Sequence, residues 1–290
     1  MRVKKSIYIY FDRIKLDFLI YLKNAKGHKK MNKKTLVSIL LASVMSLGLM
    51  AGCGASKDDT KADGGNKKYI IACDSKFAPF SFEEKNAYKG IDVEILDAIA
   101  KEEKFEYDLK PMDFNGIIPG VTANQLDGAI SAMTITDERK KSLDFSDGYF
   151  ESGLSIVVNK NNTLINGLND LNGKDVSIKQ GTSGAEFAEK NQAKYGLNLR
   201  YFDDSPSMFQ AVENGNADFL LEDYPVIAYK IKVDSGAKLK IVGDKLDTVN
   251  YGFAVKKGQN AELLKKFNEG LKKLKENGKY NEIVGQYIAK

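Results

Sequence analysis

Four short stretches of the chain hold residues able to grip or transform a small polar molecule. In MTITDERKKSLDFSDGYFESG, residues 133–153, Thr134 and Thr136 frame the end of a strand and Arg139 follows in a polar turn. From Cys53 onward the chain uses 31 lysines and only 2 arginines, so an arginine here is a marked choice. A guanidinium forks onto a carboxylate through two parallel hydrogen bonds, which an ammonium cannot reproduce. The plainer reading is a surface arginine in a charged loop. KQGTSGAEFAEK, residues 179–190, runs from a strand end through a glycine turn into a helix. Backbone N–H groups near Thr182 and Ser183, with the positive end of the helix dipole, suit an anion; otherwise the segment is a capped turn and no more. ADFLLEDYP, residues 217–225, ends an apolar strand on Glu222 and Asp223. Open α/β sheets place ligand contacts at such strand ends, although a solvated loop acid has the same pattern. IIACDSKFAPFSF, residues 70–82, puts Asp74 at a further strand end, ahead of Phe77, Phe80 and Phe82. These rings either fill a core or stack on a ligand. An arginine, helix N–H groups, carboxylates and aromatic rings together complement a zwitterionic amino acid.

Other chemistries are excluded by composition. The single histidine, His28, precedes the globular part, so His-based triads, HExxH zinc chemistry and imidazole acid–base catalysis have no residue to use there. Cys53 and Cys73 form neither a CxxC motif nor a disulfide framework. No Walker A motif occurs, so nucleotide hydrolysis would belong to another subunit. Neither a cofactor nor a metal is expected. The 290-residue chain carries a net charge of +5, yet residues 1–52 hold 11 of the 44 basic groups and 2 of the 39 acidic ones. The remainder has 33 basic against 37 acidic groups, which removes the electrostatic motive for binding nucleic acid.

The elements that must position these residues alternate in type. Apolar runs at 69–73, 105–112, 127–133, 152–159, 175–180, 217–223, 238–243 and 251–257 read as strands. Between them, IDVEILDAIAKEEK sets Ile91, Ile95, Leu96 and Ile99 on one helical face, and a second helix closes on Gly196. Toward the C-terminus Leu263, Phe267, Leu271 and Leu274 recur at helical spacing. The alternation predicts an α/β architecture with parallel sheets, and about 220 ordered residues is more than one typical domain. Two α/β lobes fit best.

The stretch from Met31, MNKKTLVSILLASVMSLGLMAGC, has a lysine-rich start and an apolar run ending in small residues before Cys53. The run is shorter than the ~20 residues that span a bilayer, so it reads as an export signal rather than a retained anchor. Leu49-Met50-Ala51-Gly52-Cys53 resembles the lipobox of bacterial lipoproteins, with Met50 where leucine is usual. Residues 1–52 are therefore read as leader and signal peptide, with 1–30 as an over-extended start. Cys53 is read as the lipidation site, and 53–67 as a flexible tether holding the body at the extracytoplasmic face of the membrane.

The motifs PMDFNGIIP, TITDERKKSLDFSDGY, KQGT, LLED and LKENGKYNEI resemble those of the amino-acid-binding solute receptors of ABC importers, most closely the glutamine-binding branch. The resemblance covers residues 68–290. It implies a two-lobe periplasmic-binding-protein-like fold with lobe 1 at 68–149 plus 251–290, lobe 2 at 154–246, and hinge segments at 150–153 and 247–250. It implies that Arg139 clamps the ligand α-carboxylate with help from the Ser183 N–H beside Thr182. Asp223 would hold the α-ammonium together with the Ala132 carbonyl and the Thr134 hydroxyl. Phe77 and Phe114 would sandwich the side chain, and Asp74 and Lys179 would face its far end and suit a neutral carboxamide. Glu222 stands where the glutamine binders carry histidine, which tilts the pocket toward a cationic side chain, and Ser131 and Ala132 stand for alanine and glycine. The implied partners are an L-amino acid, glutamine first, an ABC permease with its cytoplasmic ATPase, and the membrane through the lipid. Two other classes share the fold. A dehydratase-like enzyme would have Glu222 as its one visible acid–base group, and a sensor module would need a signalling domain, which does not follow Lys290.

Overall fold

The computed structural model describes residues 67–288. The segments read above as leader and tether, with Cys53, lie outside them. Along the chain come strands β1 (Lys68–Asp74), β2 (Lys76–Phe77), β3 (Ser81–Glu84) and β4 (Ala87–Lys89), then helix α1 (Ile91–Glu102), β5 (Glu106–Met112), α2 (Phe114–Thr122), β6 (Gly128–Ala129) and β7 (Leu143–Phe145). A first crossing strand, β8 (Phe150–Ser152), leads to β9 (Leu154–Asn159), β10 (Asp175–Lys179), α3 (Ser183–Tyr195), β11 (Asn198–Phe202), α4 (Ser205–Glu213), β12 (Phe219–Asp223), α5 (Tyr224–Val233) and β13 (Leu239–Val242). The return crossing, β14 (Val249–Tyr251), is followed by β15 (Ala254–Lys256), α6 (Ala261–Glu276) and α7 (Lys279–Tyr287).

Two five-stranded sheets result, ordered β5-β1-β6-β15-β7 and β11-β10-β12-β9-β13, and β8 pairs with β14 between them. They are mixed rather than wholly parallel as the alternation predicts: β1 pairs parallel with β5 and β6, and β10 with β11 and β12. β15 runs antiparallel to both β6 and β7, and β9 runs antiparallel to β12 and β13. The cause is connectivity: β9 and β15 are each entered directly from a crossing strand, with no helix to return the chain to the same end of the sheet. The expected strand at 152–159 breaks at Gly153, where a Cβ would run into the Asp247 carbonyl of the other crossing. The strand expected at 127–133 stops after Ala129, because the backbone turns into the left-handed region at Ala132 (φ 43°).

Apolar periodicity explains how the helices dock. Ile91, Ile95, Leu96 and Ile99 of α1 are fully buried, and so are Leu263 and Phe267 of α6. The Phe253 and Phe267 rings stack at 4.5 Å beneath them. Gly278, at φ 81°, splits the expected C-terminal helix into α6 and α7. The entry to α1 depends on Gly90, which sits at φ 121° and ψ 175°, a region essentially reserved for glycine. A Cβ there would overlap the Phe80 carbonyl oxygen. Gly90→Ala is expected to cost at least about 1–3 kcal/mol of stability from the backbone alone, read as a lowered urea midpoint at unchanged slope.

Candidate functional site

Strands β1, β10 and β12 all end at the cleft between the lobes, and each delivers a charged side chain there: Asp74, Lys179, and Glu222 with Asp223. All four are buried. The Lys179 Nζ donates to Asp74 Oδ2 at 2.6 Å, so a lobe 2 ammonium and a lobe 1 carboxylate pair across the cleft. It also lies 4.1 Å from the centre of the Phe77 ring and 5.6 Å from that of Phe114. The far-end pair expected to face a ligand thus forms one ion pair, with Asp74 behind Lys179.

Arg139 opens a single 3-10 turn, Arg139–Lys141, after Thr136, whose Oγ1 accepts from the Arg139 N–H at 3.2 Å. The side chain is 4% exposed rather than on the surface. Its Nη1 donates to the Thr134 carbonyl at 2.8 Å in lobe 1, and its Nη2 to the Gly181 carbonyl at 3.0 Å in lobe 2. Nε is buried without a hydrogen-bond partner; the nearest acid, Glu186, is 3.9 Å away. The guanidinium lies 5.6 Å from the Phe114 ring centre. Opposite it, Thr182 caps α3 by accepting from the Ala185 N–H at 3.2 Å, which leaves the first-turn N–H groups beside Ser183 at the cleft.

Phe77, Phe114, Ser131, Ala132, Thr134 and Arg139 from lobe 1 enclose a cavity of about 20 Å³ with Lys179, Thr182, Ser183, Glu222 and Asp223 from lobe 2. Leu154, Gly184 and Leu221, which the sequence does not single out, complete the wall. The space is enough for about one water, so the lobes are closed on each other. A larger groove of about 580 Å³ lies alongside, between Phe82 and Phe209. Its lysines, Lys76 and Lys230, are already paired with Asp204 and Asp234, which makes it a poorer place for a charged ligand.

Burial sets the acids of the site. The Asp223 carboxyl is pushed up to about 6, and Glu222 to about 7, both mainly by loss of water. For Glu222 the adjacent Asp223 adds to the rise and Lys179 opposes it. Glu222 Oε1 accepts the Asp223 N–H at 2.9 Å and Oε2 meets the Ser205 Oγ at 3.0 Å. Asp223 Oδ2 accepts from the Tyr251 hydroxyl at 2.5 Å, and that hydroxyl also bonds Ser152 Oγ at 2.9 Å. Both crossings are therefore tied to the same acid.

One buried cluster is absent from the sequence reading. Asp92, in the first turn of α1, accepts the Ala132 N–H on Oδ2 at 2.7 Å and the Tyr149 hydroxyl on Oδ1 at 2.7 Å. These bonds hold Ala132 at its positive φ. The signal was an acid in a helix first turn, which reads as a dipole partner facing solvent. Among the described residues no group of three or more His, Cys, Asp or Glu could hold a metal ion, and no helix is long and apolar enough to cross a membrane. Cys73 is buried and free.

Comparison with known proteins agrees with this geometry. Residues 69–290 match the family model of bacterial extracellular solute-binding proteins, family 3. A probable histidine-binding protein of Neisseria gonorrhoeae is 32% identical over 89% of this chain and 96% of its own length. The ABC transporter glutamine-binding protein GlnH of Bacillus subtilis is 30% identical over 88% and 97%. The fold superposes on an ancestral arginine-binding protein bound to arginine (TM-score 0.73) and on one bound to glutamine (0.72). Each is 38% identical and covers 77% of this chain and 98% of that one. The two lobes, the paired crossings and the cleft at the strand ends are the periplasmic-binding-protein fold, and the chain belongs to family 3 of the bacterial extracellular solute-binding proteins.

Proposed function

We propose that this protein is the substrate receptor of an amino-acid ABC importer. It captures a polar L-amino acid, glutamine first, between its lobes and delivers it unchanged to a permease driven by a cytoplasmic ATPase. The observation that carries the reading is the buried Arg139, with two N–H groups bonded to carbonyls of different lobes and a third unpartnered. A ligand α-carboxylate entering between the lobes would replace those carbonyls with a stronger, charge-assisted acceptor. Asp223, Thr134 and the Ala132 carbonyl take the α-ammonium, while Phe77 and Phe114 flank the side chain. At its far end a carboxamide oxygen accepts from Lys179, which Asp74 holds in place from behind. The acid–base role that an enzyme would give Glu222 competes with this reading. Product analysis after incubation separates them, since a receptor returns its ligand chemically intact.

Calorimetric titration at mildly acidic pH is expected to rank glutamine above arginine, lysine and glutamate. A cationic side chain meets Lys179, and glutamate adds a carboxylate to a cleft whose buried acids, Asp74, Glu222 and Asp223, already outnumber its cations, Lys179 and Arg139. Arginine tighter than glutamine under those conditions would mean that Glu222, not Lys179, dominates the far end of the pocket.

The lipobox-like segment supports an anchor on Cys53 at the extracytoplasmic face. Cys53→Ser removes the acceptor thiol for the diacylglyceryl group, so membrane fractionation should find the variant in the soluble fraction. A processed Cys53→Ser protein that still sediments with membranes would rule the anchor out.

A further inference from the structure

Glu222 occupies an unusual place among the charges of the cleft. It lies opposite Ser155 of β9 in the antiparallel register, and on its other side two residues beyond the paired Ser177 and Leu220, which sets it level with Lys179 of β10. The groups facing it are few: Lys179, with Asp74 beyond it from lobe 1; Asp223 on its own strand, with Tyr251 behind and Arg139 nearby; and Ser205 on α4, next to the helix cap Asp204. With Glu222 ionised, the buried set of Asp74, Glu222, Asp223, Lys179 and Arg139 sums to one negative charge. With Glu222 protonated it sums to zero. The backbone of a zwitterionic ligand adds nothing to that sum, so its side chain decides which state is matched, and an unmatched buried charge is costly.

The hydrogen bonds of Glu222 suit both states. Oε1 accepts a backbone N–H whether or not the acid is protonated. The Ser205 hydroxyl, 3.0 Å from Oε2, can donate to a carboxylate or accept from a carboxyl O–H. The proton can come and go without moving a heavy atom.

We infer that Glu222 selects the charge class of the ligand by binding a proton when a neutral side chain occupies the cleft and giving it up when a cationic one does. The inference rests on the amino-acid reading above and adds to it a single site with two matched ligand classes. Its raised titration point, about 7, places the exchange near neutral pH. A single site serving both charge classes has a counterpart in this fold, where an ancestral arginine-binding protein is seen bound to arginine and, in a second structure, to glutamine.

The experiment is calorimetric titration of the wild-type protein with glutamine and with arginine at neutral pH, in two buffers of different ionisation enthalpy. Protons exchanged at Asp223 answer the ammonium common to both ligands and cancel in the comparison. Glutamine binding should leave about one more proton on the protein than arginine binding does, and the arginine-to-glutamine affinity ratio should rise about tenfold per pH unit. In Glu222→Gln, with circular dichroism confirming the fold, the difference in protons should vanish and the ratio should become flat with pH. Two ligands that bind wild-type protein with equal proton exchange would overturn the inference while leaving the receptor reading intact. If neither ligand binds, glutamine as the substrate fails and the inference goes with it.

Discussion

Arg139→Lys should weaken ligand binding by roughly 10- to 150-fold while leaving the fold intact. The α-carboxylate is shared by every amino acid, so the loss should appear whichever side chain the cleft prefers. The arginine spans the interface with separate nitrogens, Nη1 toward Thr134 and Nη2 toward Gly181, and it has Nε in reserve. A lysine ammonium keeps the charge but is one donor atom, so at least one charge-assisted bond to the carboxylate is lost. Such bonds contribute about 1.5–3 kcal/mol each, and water is excluded from the closed cleft and cannot replace them. The check is titration of both proteins with the same ligand, alongside circular dichroism. A folded variant within threefold of wild type would remove Arg139 from the ligand site.

The ligand-free protein should become more stable, not less, as pH falls from 8 to 5. Asp92, Glu222 and Asp223 are buried, and their carboxyl groups are raised to about 7, about 7 and about 6, mainly by loss of water. An acid raised on folding binds protons more tightly in the folded state. Its contribution is therefore full below the unfolded value, near 4, and is lost as pH rises through the folded value. For Asp92 this amounts to roughly 2–3 kcal/mol between pH 8 and pH 5, and the Glu222–Asp223 pair adds in the same direction. Surface acids such as Asp144, Asp175 and Asp234 are shifted down by hydrogen-bond and ion-pair partners, so they withdraw stability only below about pH 4. A stability maximum near pH 4 is the result. Urea unfolding at several pH values reads it directly, and Asp92→Asn should flatten the slope. A wild-type protein most stable at pH 8 would mean that these acids fold in their ionised form at no cost.

The strand tips were legible because each apolar run ends on its own acid or lysine: YIIACD, DVSIK and FLLED all announce both the strand and the residue at its mouth. α1 and α6 were legible from their apolar stripes. Other elements carry no such pattern. β11 is largely exposed, so NLRYF lacks the apolar run of its neighbours, and α2 has Pro119 and two glycines within nine residues. The supporting chemistry was hidden for a different reason. Asp92 is defined by Ala132 and Tyr149, 40 and 57 residues further on, and Asp223 by Tyr251 on the return crossing. Sequence periodicity reports which side of an element is dry, but not which distant hydroxyl meets a buried acid. For the same reason sheet direction escaped, since the crossings reverse β9 and β15.

Strand order also constrains the sequence of events as the chain is made. Every strand of the lobe 2 sheet lies between residues 154 and 242, so that sheet can be completed as soon as this segment emerges. Lobe 1 has no such independence. β15, at 254–256, sits between β6 and β7, and α6 and α7 supply the cover over α1. A chain delivered N-terminus first presents β1, β5 and β6 early. β7 has no place in the sheet until β15 arrives, and Ile91, Ile95 and Ile99 remain uncovered until the last 40 or so residues follow. The first lobe to be translated is therefore the last to close, and for most of its emergence its apolar helix face stays open to whatever apolar surface it meets.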